Sequence, residues 1–286
     1  MIHSLKDDYP VNALCDALAV SRSGYYDWTK REPSARELER EKVIEQIRRI
    51  HAESDRTYGS PRIRDALLDE KITLNVKTVA KYMKQAHIQA KTHQRFKVST
   101  TDSNHDLPVF ENVLDRNFTA AGPNEKWLCD ITYIHTAEGF IYLATVLDTF
   151  SWKIIGWSID DCLDRQLCID ALSSAIEGRK RMPGGLIDLL HHSDRGSQYA
   201  SRDYQRLLGD WRITVSMSRV GNCWDNAMME SFFGTLKTEL VYHEKYQSKS
   251  EARSSVIAWI EGWYNRRRRH SAIGYKSPEQ FEAELN

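Results

Sequence analysis

Apolar positions in the first hundred residues recur at three- and four-residue intervals, the period of helices with one buried face. Val11, Leu14, Cys15, Leu18 and Ala19 keep this spacing and lead into SRSGYYDW, so residues 10–28 predict a small helix–turn–helix. Residues 34–51 predict an exposed, charge-dense helix striped by Leu38, Val43, Ile44, Ile47 and Ile50. Ser60-Pro61 reads as a helix start, with Ser as cap, before a buried face of Ile63, Ala66 and Leu67. Asn75 opens the next helix, with Val76, Val79, Ala80 and Met83 inward and Lys77, Thr78, Lys81, Tyr82 and Lys84 on or beside the outer face. Two short helices with cations and hydroxyls outward are the layout of a DNA-reading helix–turn–helix at about 58–88. Residues 99–125, with Pro108, Gly122 and Pro123, keep no period and predict a linker.

From Lys126 the period changes. KWLCDITYI, GFIYLATVLD and WKIIGWSID are short β-rich runs that predict an antiparallel meander. A helix over 165–179, a strand in LIDLLHHSD, a helix over 199–208, a strand in ITVSMS and a helix over 225–242 complete a βββαβαβα order, a mixed α/β layout. Residues 251–265 form an amphipathic helix bearing Val256, Ile260 and Trp263, followed by Arg266, Arg267, Arg268 and Arg269. Ser277-Pro278-Glu279-Gln280 predicts a capping box for a last helix. The expected domains are therefore 1–98 (helical, DNA-binding), 99–125 (linker), 126–245 (catalytic core) and 246–286 (helical basic tail).

Length and composition narrow the function. A chain of 286 residues, 41% apolar and 28% charged, is an ordinary globular balance of about two domains. The longest strongly apolar run, Gly139 to Leu147, is too short to span a bilayer. Asp7, Asp8 and Asp16 stand where a signal peptide needs a positive start and an apolar stretch, so no membrane association and a cytoplasmic location are expected. Five scattered cysteines without a C-x-x-C pair fit reduced thiols. The formal net charge of +0 hides an asymmetry: residues 1–100 carry +5, residues 101–245 carry −7 and residues 246–286 carry +2. Lys71 to Thr101 holds seven Lys/Arg and no acid. Basic ends suit a polyanion and an acidic middle suits cations.

Three acids stand out by position. Asp130 lies within the first strand of the meander, Asp194 directly after the strand LIDLLHH, and Glu230 in the last core helix, with 35 residues between the last two. A carboxylate at the C-terminal end of a sheet strand opens into the crevice where α/β folds place ligands. Acidic oxygens of this kind bind hard divalent cations, and phosphoryl transfer uses such cations. Asp148 is a weaker fourth acid, better read as fixing a turn. His191 and His192 read as packed or exposed rather than reactive. Trp224 precedes the Glu230 helix on the loop SRVGNCWDN, where it could stack on a base. The arginine run is either a helix end complementing its dipole or a phosphate contact; in a DNA enzyme the second is favoured.

The segments YGSPRI (58–63), W-x-x-D-I-T-Y (127–133), LDTFSWKIIGW (147–157), HSDRGSQY (192–199), DNAMMESFFGTLKTE (225–239) and the arginine-rich stretch 264–281 resemble the D-D-(35)-E core shared by retroviral integrases and bacterial transposases. The chain is most similar to transposases of the insertion-sequence-three family, specifically the downstream reading-frame product (OrfB), over nearly its whole length. The resemblance implies a ribonuclease-H-like fold, a mixed five-stranded sheet flanked by helices. An all-α helix–turn–helix region precedes this fold and a helical basic tail follows it. It implies a DNA transposase that binds terminal inverted repeats and target DNA and cleaves and joins strands, with Mg²⁺ (Mn²⁺ substituting), two ions in all. Asp130, Asp194 and Glu230 match the family's catalytic, metal-binding triad. Lys237, seven positions after Glu230, matches a DNA-contacting base, and Asn226 and Ser231 lie in the motif as support. A DNA-dependent homo-oligomer and the upstream-frame (OrfA) product are the implied protein partners. The zinc module of retroviral integrases has no counterpart, because residues 1–100 hold only Cys15, His3, His51, His87 and His93. A regulator with a dead core, and a nuclease that cuts without joining, are the competing functions; an intact acidic set argues against the first and the helix–turn–helix against the second.

Overall fold

The computed structural model describes residues 1–91, 108–182, 185–219 and 222–285. The helices α1 (Ile2–Leu5), α2 (Val11–Ala17) and α3 (Arg22–Lys30) close a small cluster around Ile2, Cys15 and Tyr25. The second helical unit comprises α4 (Ala35–Glu53), α5 (Ser60–Asp69) and α6 (Val76–Gln85), packed through Val43, Ile47, Ile50, Ile63, Leu67, Val79 and Met83. Local chemistry sets the ends. Ser34 and Glu37 form a capping box on α4, and the Asn75 side chain accepts from the Lys77 amide to cap α6. Gly59, rather than Ser60, is the N-cap of α5, so Ser60 and Pro61 both lie inside its first turn, where proline's missing N–H is no loss. Ala80, expected inward, is exposed; the buried stripe of α6 is carried by Val79 and Met83.

The core is one five-stranded sheet in the order β3-β2-β1-β4-β5, formed by β1 (Lys126–Thr136), β2 (Gly139–Asp148), β3 (Ile154–Asp160), β4 (Leu190–Ser193) and β5 (Thr214–Met217). The first three strands are the antiparallel meander, and β1–β4 and β4–β5 pair in parallel. Period-two alternation splits the sheet into two apolar faces. Trp127, Cys129, Ala144 and Val146 pack under α7 (Arg165–Arg179), α8 (Ser197–Ala200) and α9 (Arg202–Asp210). Leu128, Ile134, Ile141, Leu143 and Leu147 pack on the other face under α10 (Ala227–Glu239) and α11 (Lys249–Ile257). At Gly156 the sheet and α7 come so close that a Cβ would lie 2.4 Å from the Ala171 carbonyl oxygen.

Two boundaries differ from the sequence expectation. Residues 99–107 of the expected linker lie outside the described residues, but the stretch from 108 is docked on the core. Leu114 is buried, and the Val113 and Leu114 amides donate to Ser216 Oγ. The expected tail is core as well. The helix α11 runs on as a π-helical segment, Ala258–Tyr264, and Val256, Ile260 and Tyr264 are fully buried beside Met229, Phe232 and Leu236 of α10. The capping box of Ser277 and Gln280 opens α12 (Pro278–Ala283) as expected. Among the described residues no helix is long and apolar enough to cross a membrane.

Candidate active site

The strand β1 pairs with β4 only over Lys126–Leu128, because β4 stops at Ser193. Past that point the edge of β1 is uncovered and a cleft opens, lined by Asp130, Thr132, Tyr133, Tyr142, Leu163 and Asp194. The parallel register ends with Leu128 paired to His192; Asp130 on β1 and Asp194, the first residue past β4, each lie two residues beyond that last pair and both line the cleft. The loop after β4 is tied back: Asp194 Oδ1 accepts from the Gly196 amide at 2.9 Å. Asp130 Oδ1 accepts from the Ile131 amide at 2.8 Å. Burial, then the negative charge of Asp194, with Glu230 adding to it, pushes the Asp130 carboxyl well above the usual carboxylate range; the Ile131 amide and Lys237 pull the other way.

Glu230 lies in the first turn of α10, exposed and outside the cleft lining, though its charge is felt at Asp130. Among the described residues no three His, Cys, Asp or Glu side chains gather closely enough to hold a metal ion. Asp130 and Asp194 thus share the cleft, and Glu230, expected to converge with them, stands outside its lining. Lys237, two turns along α10, brings Nζ to 4.8 Å from the Tyr133 ring centre, a cation–π contact at the cleft. Burial lowers its ammonium and the Asp130 charge raises it. Asn226 is buried just ahead of α10 and Ser231 is exposed on it.

The other sequence-level residues separate clearly. Asp148 is fully buried and accepts from the Asn124 and Phe150 amides, the turn-fixing role. His191 bonds the Tyr204 hydroxyl and His192 bonds Ser216 and Ser218; burial lowers the two to about 3 and about 4, so both are packed neutral rings. Trp224 is 68% exposed, while Val220 and Gly221 of its loop lie outside the described residues. Lys77, Lys81 and Lys84 are exposed along α6, Thr78 is half-exposed, and Tyr82 leans on the helical core.

The arginine run divides. Arg266 and Arg267 are exposed. Arg268 is not available to phosphate: it is 3% exposed and forks onto Glu239, with Nε 3.0 Å from both carboxylate oxygens. Arg269 reaches back to the helical unit, 2.6 Å from Asp65 and also onto Asp69.

Sequence reasoning missed two acids. Asp225, with no exposed surface, accepts from the Arg219 backbone and guanidinium, from Arg116 and from Asn112, and the Arg219 bond holds its carboxyl well below the usual carboxylate range. Glu239 takes Arg268. Their only linear signal was an acid inside a motif already read for other residues.

Family comparisons agree with this architecture. The integrase core domain family matches residues 120–223, a second integrase core domain family matches 211–278, and an HTH-like domain matches 37–96. The transposase InsF of insertion sequence IS3A from Escherichia coli K12 is 42% identical over 277 residues, 96% of this chain and 94% of that protein. The chain belongs to the IS3 family of insertion-sequence transposases. A 31 kDa insertion element IS600 protein of Shigella sonnei is 40% identical over 94% of this chain and 97% of its own length. Among solved structures, the HTLV-2 integrase catalytic core in complex with magnesium aligns with 57% of this chain and 99% of its own, at 17% identity and a TM-score of 0.43. The transposase therefore joins an HTH-like unit to a five-stranded integrase core, and the enzyme class is that of DDE transposases and integrases.

Proposed function

We propose that Asp130, Asp194 and Glu230 are the catalytic set of this transposase and that they work with Mg²⁺, for which Mn²⁺ substitutes, as a pair of ions. The observation that carries the reading is that Asp130 and Asp194 line one cleft just past the end of the β1–β4 pairing, with Glu230 and Lys237 close enough to bias Asp130. The donor set fits: all three are hard carboxylate oxygens, and the like charges crowding Asp130 are what a divalent cation neutralises. Bound there, such cations activate the attacking oxygen and stabilise the leaving one. The chain itself supplies a carboxylate cleft at the sheet edge, the Lys237 ammonium against Tyr133 beside it, and aromatic walls from Tyr133 and Tyr142.

DNA enters this reading at two levels. The exposed face of α6, with Lys77, Lys81 and Lys84 and the half-exposed Thr78 and Tyr82 beside it, reads terminal inverted repeats, and Arg266 and Arg267 touch phosphate near the core; residues 1–98 bind and 126–245 catalyse. Because one acidic set acts on one strand at a time, two copies assemble on double-stranded DNA, and the upstream-frame product joins where it is made.

The test is substitution with a binding control. Asp130→Asn, Asp194→Asn and Glu230→Gln should each remove cleavage and strand joining on terminal-repeat duplexes while retaining their binding. The unaltered chain should work with Mg²⁺ or Mn²⁺ and not with Ca²⁺, whose coordination is looser. Substantial joined product from any of the three variants would overturn the assignment.

A further inference from the structure

Two sequence segments that the catalytic set leaves unused, YGSPRI (58–63) and the stretch ending in Arg269, meet in space. The Tyr58 hydroxyl donates to the Arg267 carbonyl at 3.3 Å and accepts from the Arg269 amide at 2.9 Å. Arg62 Nε donates to the Arg269 carbonyl at 3.0 Å, and the Arg269 side chain pairs with Asp65 and Asp69 on α5. A second tether crosses from the end of the helical unit: Lys91 Nζ pairs with Asp55 at 2.7 Å and donates to the Glu239 carbonyl at 3.1 Å. Trp263 packs into both apolar clusters and lies 5.7 Å from the Tyr58 ring.

These contacts complete a continuous rigid path. The helix α6 is packed on α5 through Val79 and Met83, and α5 is clamped to the backbone of 267–269. Arg268, inside that stretch, is locked onto Glu239 at the last residue of α10, and α10 carries Glu230 in its first turn. An α-helix does not stretch, so a thirteen-residue α10 transmits position from one end to the other. A single flexible linker would let the reading helix wander over several base pairs. A junction with side-chain hydrogen bonds, three ion pairs (Arg269 with Asp65 and Asp69, Arg62 with Glu239) and a shared tryptophan does not allow that.

We propose that the junction of α5 with residues 267–269 is a spacer that fixes where the scissile phosphate falls relative to the sequence read by α6. Tyr58, Asp65 and Arg269 are its positioning residues. The proposal rests on the assignment of α6 as the DNA reader. Slack equal to the rise of one base pair, about 3.4 Å, moves the cut by one nucleotide, which is more play than the hydrogen bonds above permit.

The experiment reads position without using the chain's own chemistry. Cys162 is exposed and precedes Leu163 of the cleft wall, while Cys15, Cys129 and Cys168 are buried. In the full chain with Cys223→Ser, an iron chelate attached to Cys162 cuts nearby DNA by hydroxyl radicals. The probe is a duplex carrying the end of the DNA element that encodes this chain. The unaltered junction should give a narrow window of cuts at a fixed offset from the α6 footprint. Asp65→Arg, which sets like charges against Arg269, should at least double the width of that window. Adding Arg269→Asp to the same chain should restore it. Tyr58→Phe, which removes only a hydroxyl, should broaden the window less and leave preference for the element end unchanged; its result stands alone if Asp65→Arg loses its cooperative melt. Windows of equal width in the unaltered, Asp65→Arg and Tyr58→Phe chains would overturn the spacer and leave the reader intact. Loss of any preference for the element end in the unaltered chain would remove the reader assignment, and the spacer with it.

Discussion

Gly156 and Arg268 show how single positions carry the fold. At Gly156 a methyl group would meet backbone on two sides, 2.4 Å from the Ala171 carbonyl oxygen and 2.6 Å from the Ala175 amide nitrogen. Neither atom can move without shifting α7 along the sheet. Gly156→Ala should therefore cost about 1–3 kcal/mol, as overpacking does, measured as a lowered urea midpoint with an unchanged slope. Arg268 is a different case. Its guanidinium is matched to Glu239 on the fork face and to His270 Nε2 at 2.8 Å beyond it. Arg268→Ala takes the fork from the buried Glu239 carboxylate and leaves it Arg62 Nη1 at 3.8 Å and the Trp263 indole at 3.3 Å, a loss of about 3 kcal/mol. The neighbouring exposed Arg267→Ala should change stability little. Equal effects of the two substitutions on the denaturation midpoint would show that the buried pair is not structural. In the sequence these arginines are indistinguishable, four cations in a row. Arg268 acquires its role from Glu239, 29 positions earlier, and no periodicity reports a pairing across that distance. That Asp130 and Asp194 would share a cleft was legible because one lies on a strand and the other just past one; Glu230 was placed on its helix, but its standing outside that lining was not.

At the scale of elements, the type and order of the core strands and helices were read from apolar runs such as GFIYLATVLD and from the Ser277 cap, but several ends were not: LIDLLHHSD holds only the four residues of β4, and the helix expected over 199–208 is α8 and α9, broken at Ser201. What an apolar stripe covers was not readable. The stripe of Val256 and Ile260 could have faced a partner, and it faces α10. The stretch after Pro108 looked structureless because its bonds run from backbone to distant side chains, such as Ser216 Oγ, rather than along a ladder. For α6 the outcome is mixed. Its cap and its buried Val79 and Met83 were foreseen, and Lys77 and Lys81 do stand exposed. Each phosphate contact releases condensed counterions, contributing about −0.9 to the slope of log affinity against log salt for duplex DNA. Replacing both lysines with Gln should thus flatten that slope by roughly two units if each makes one contact, with no change in thermal stability. An unchanged slope in filter binding from low to moderate salt would move the phosphate contacts off this helix.

For the molecule as a whole, the decisive fact is that the C-terminal segment belongs to its own core. A tail reaching into a partner's active site would expose Val256, Trp259, Ile260 and Tyr264 in the free chain. Instead all four are buried against Met229, Phe232 and Leu236, and Phe232 meets the Tyr264 ring edge-on at 4.9 Å. Asn265 adds polar seams, accepting from the Ile154 amide and donating to the Ile154 carbonyl, and Glu282 of α12 takes Arg179 and Lys153. Burying four such side chains contributes about 1.5–3 kcal/mol each, which together rivals the whole stability of a typical domain, about 5–15 kcal/mol. A chain ending before Glu251 should consequently lack a cooperative melt and bind an apolar dye, because α10 and one face of the sheet are left uncovered. It follows that such a chain cannot lend a working Glu230 to a full-length Glu230→Gln copy: mixing the two on terminal-repeat DNA should yield no joined product. Joining recovered in that mixture, or a cooperative melt of the truncated chain alone, would mean that the segment acts across copies and that the core of one copy stands without it.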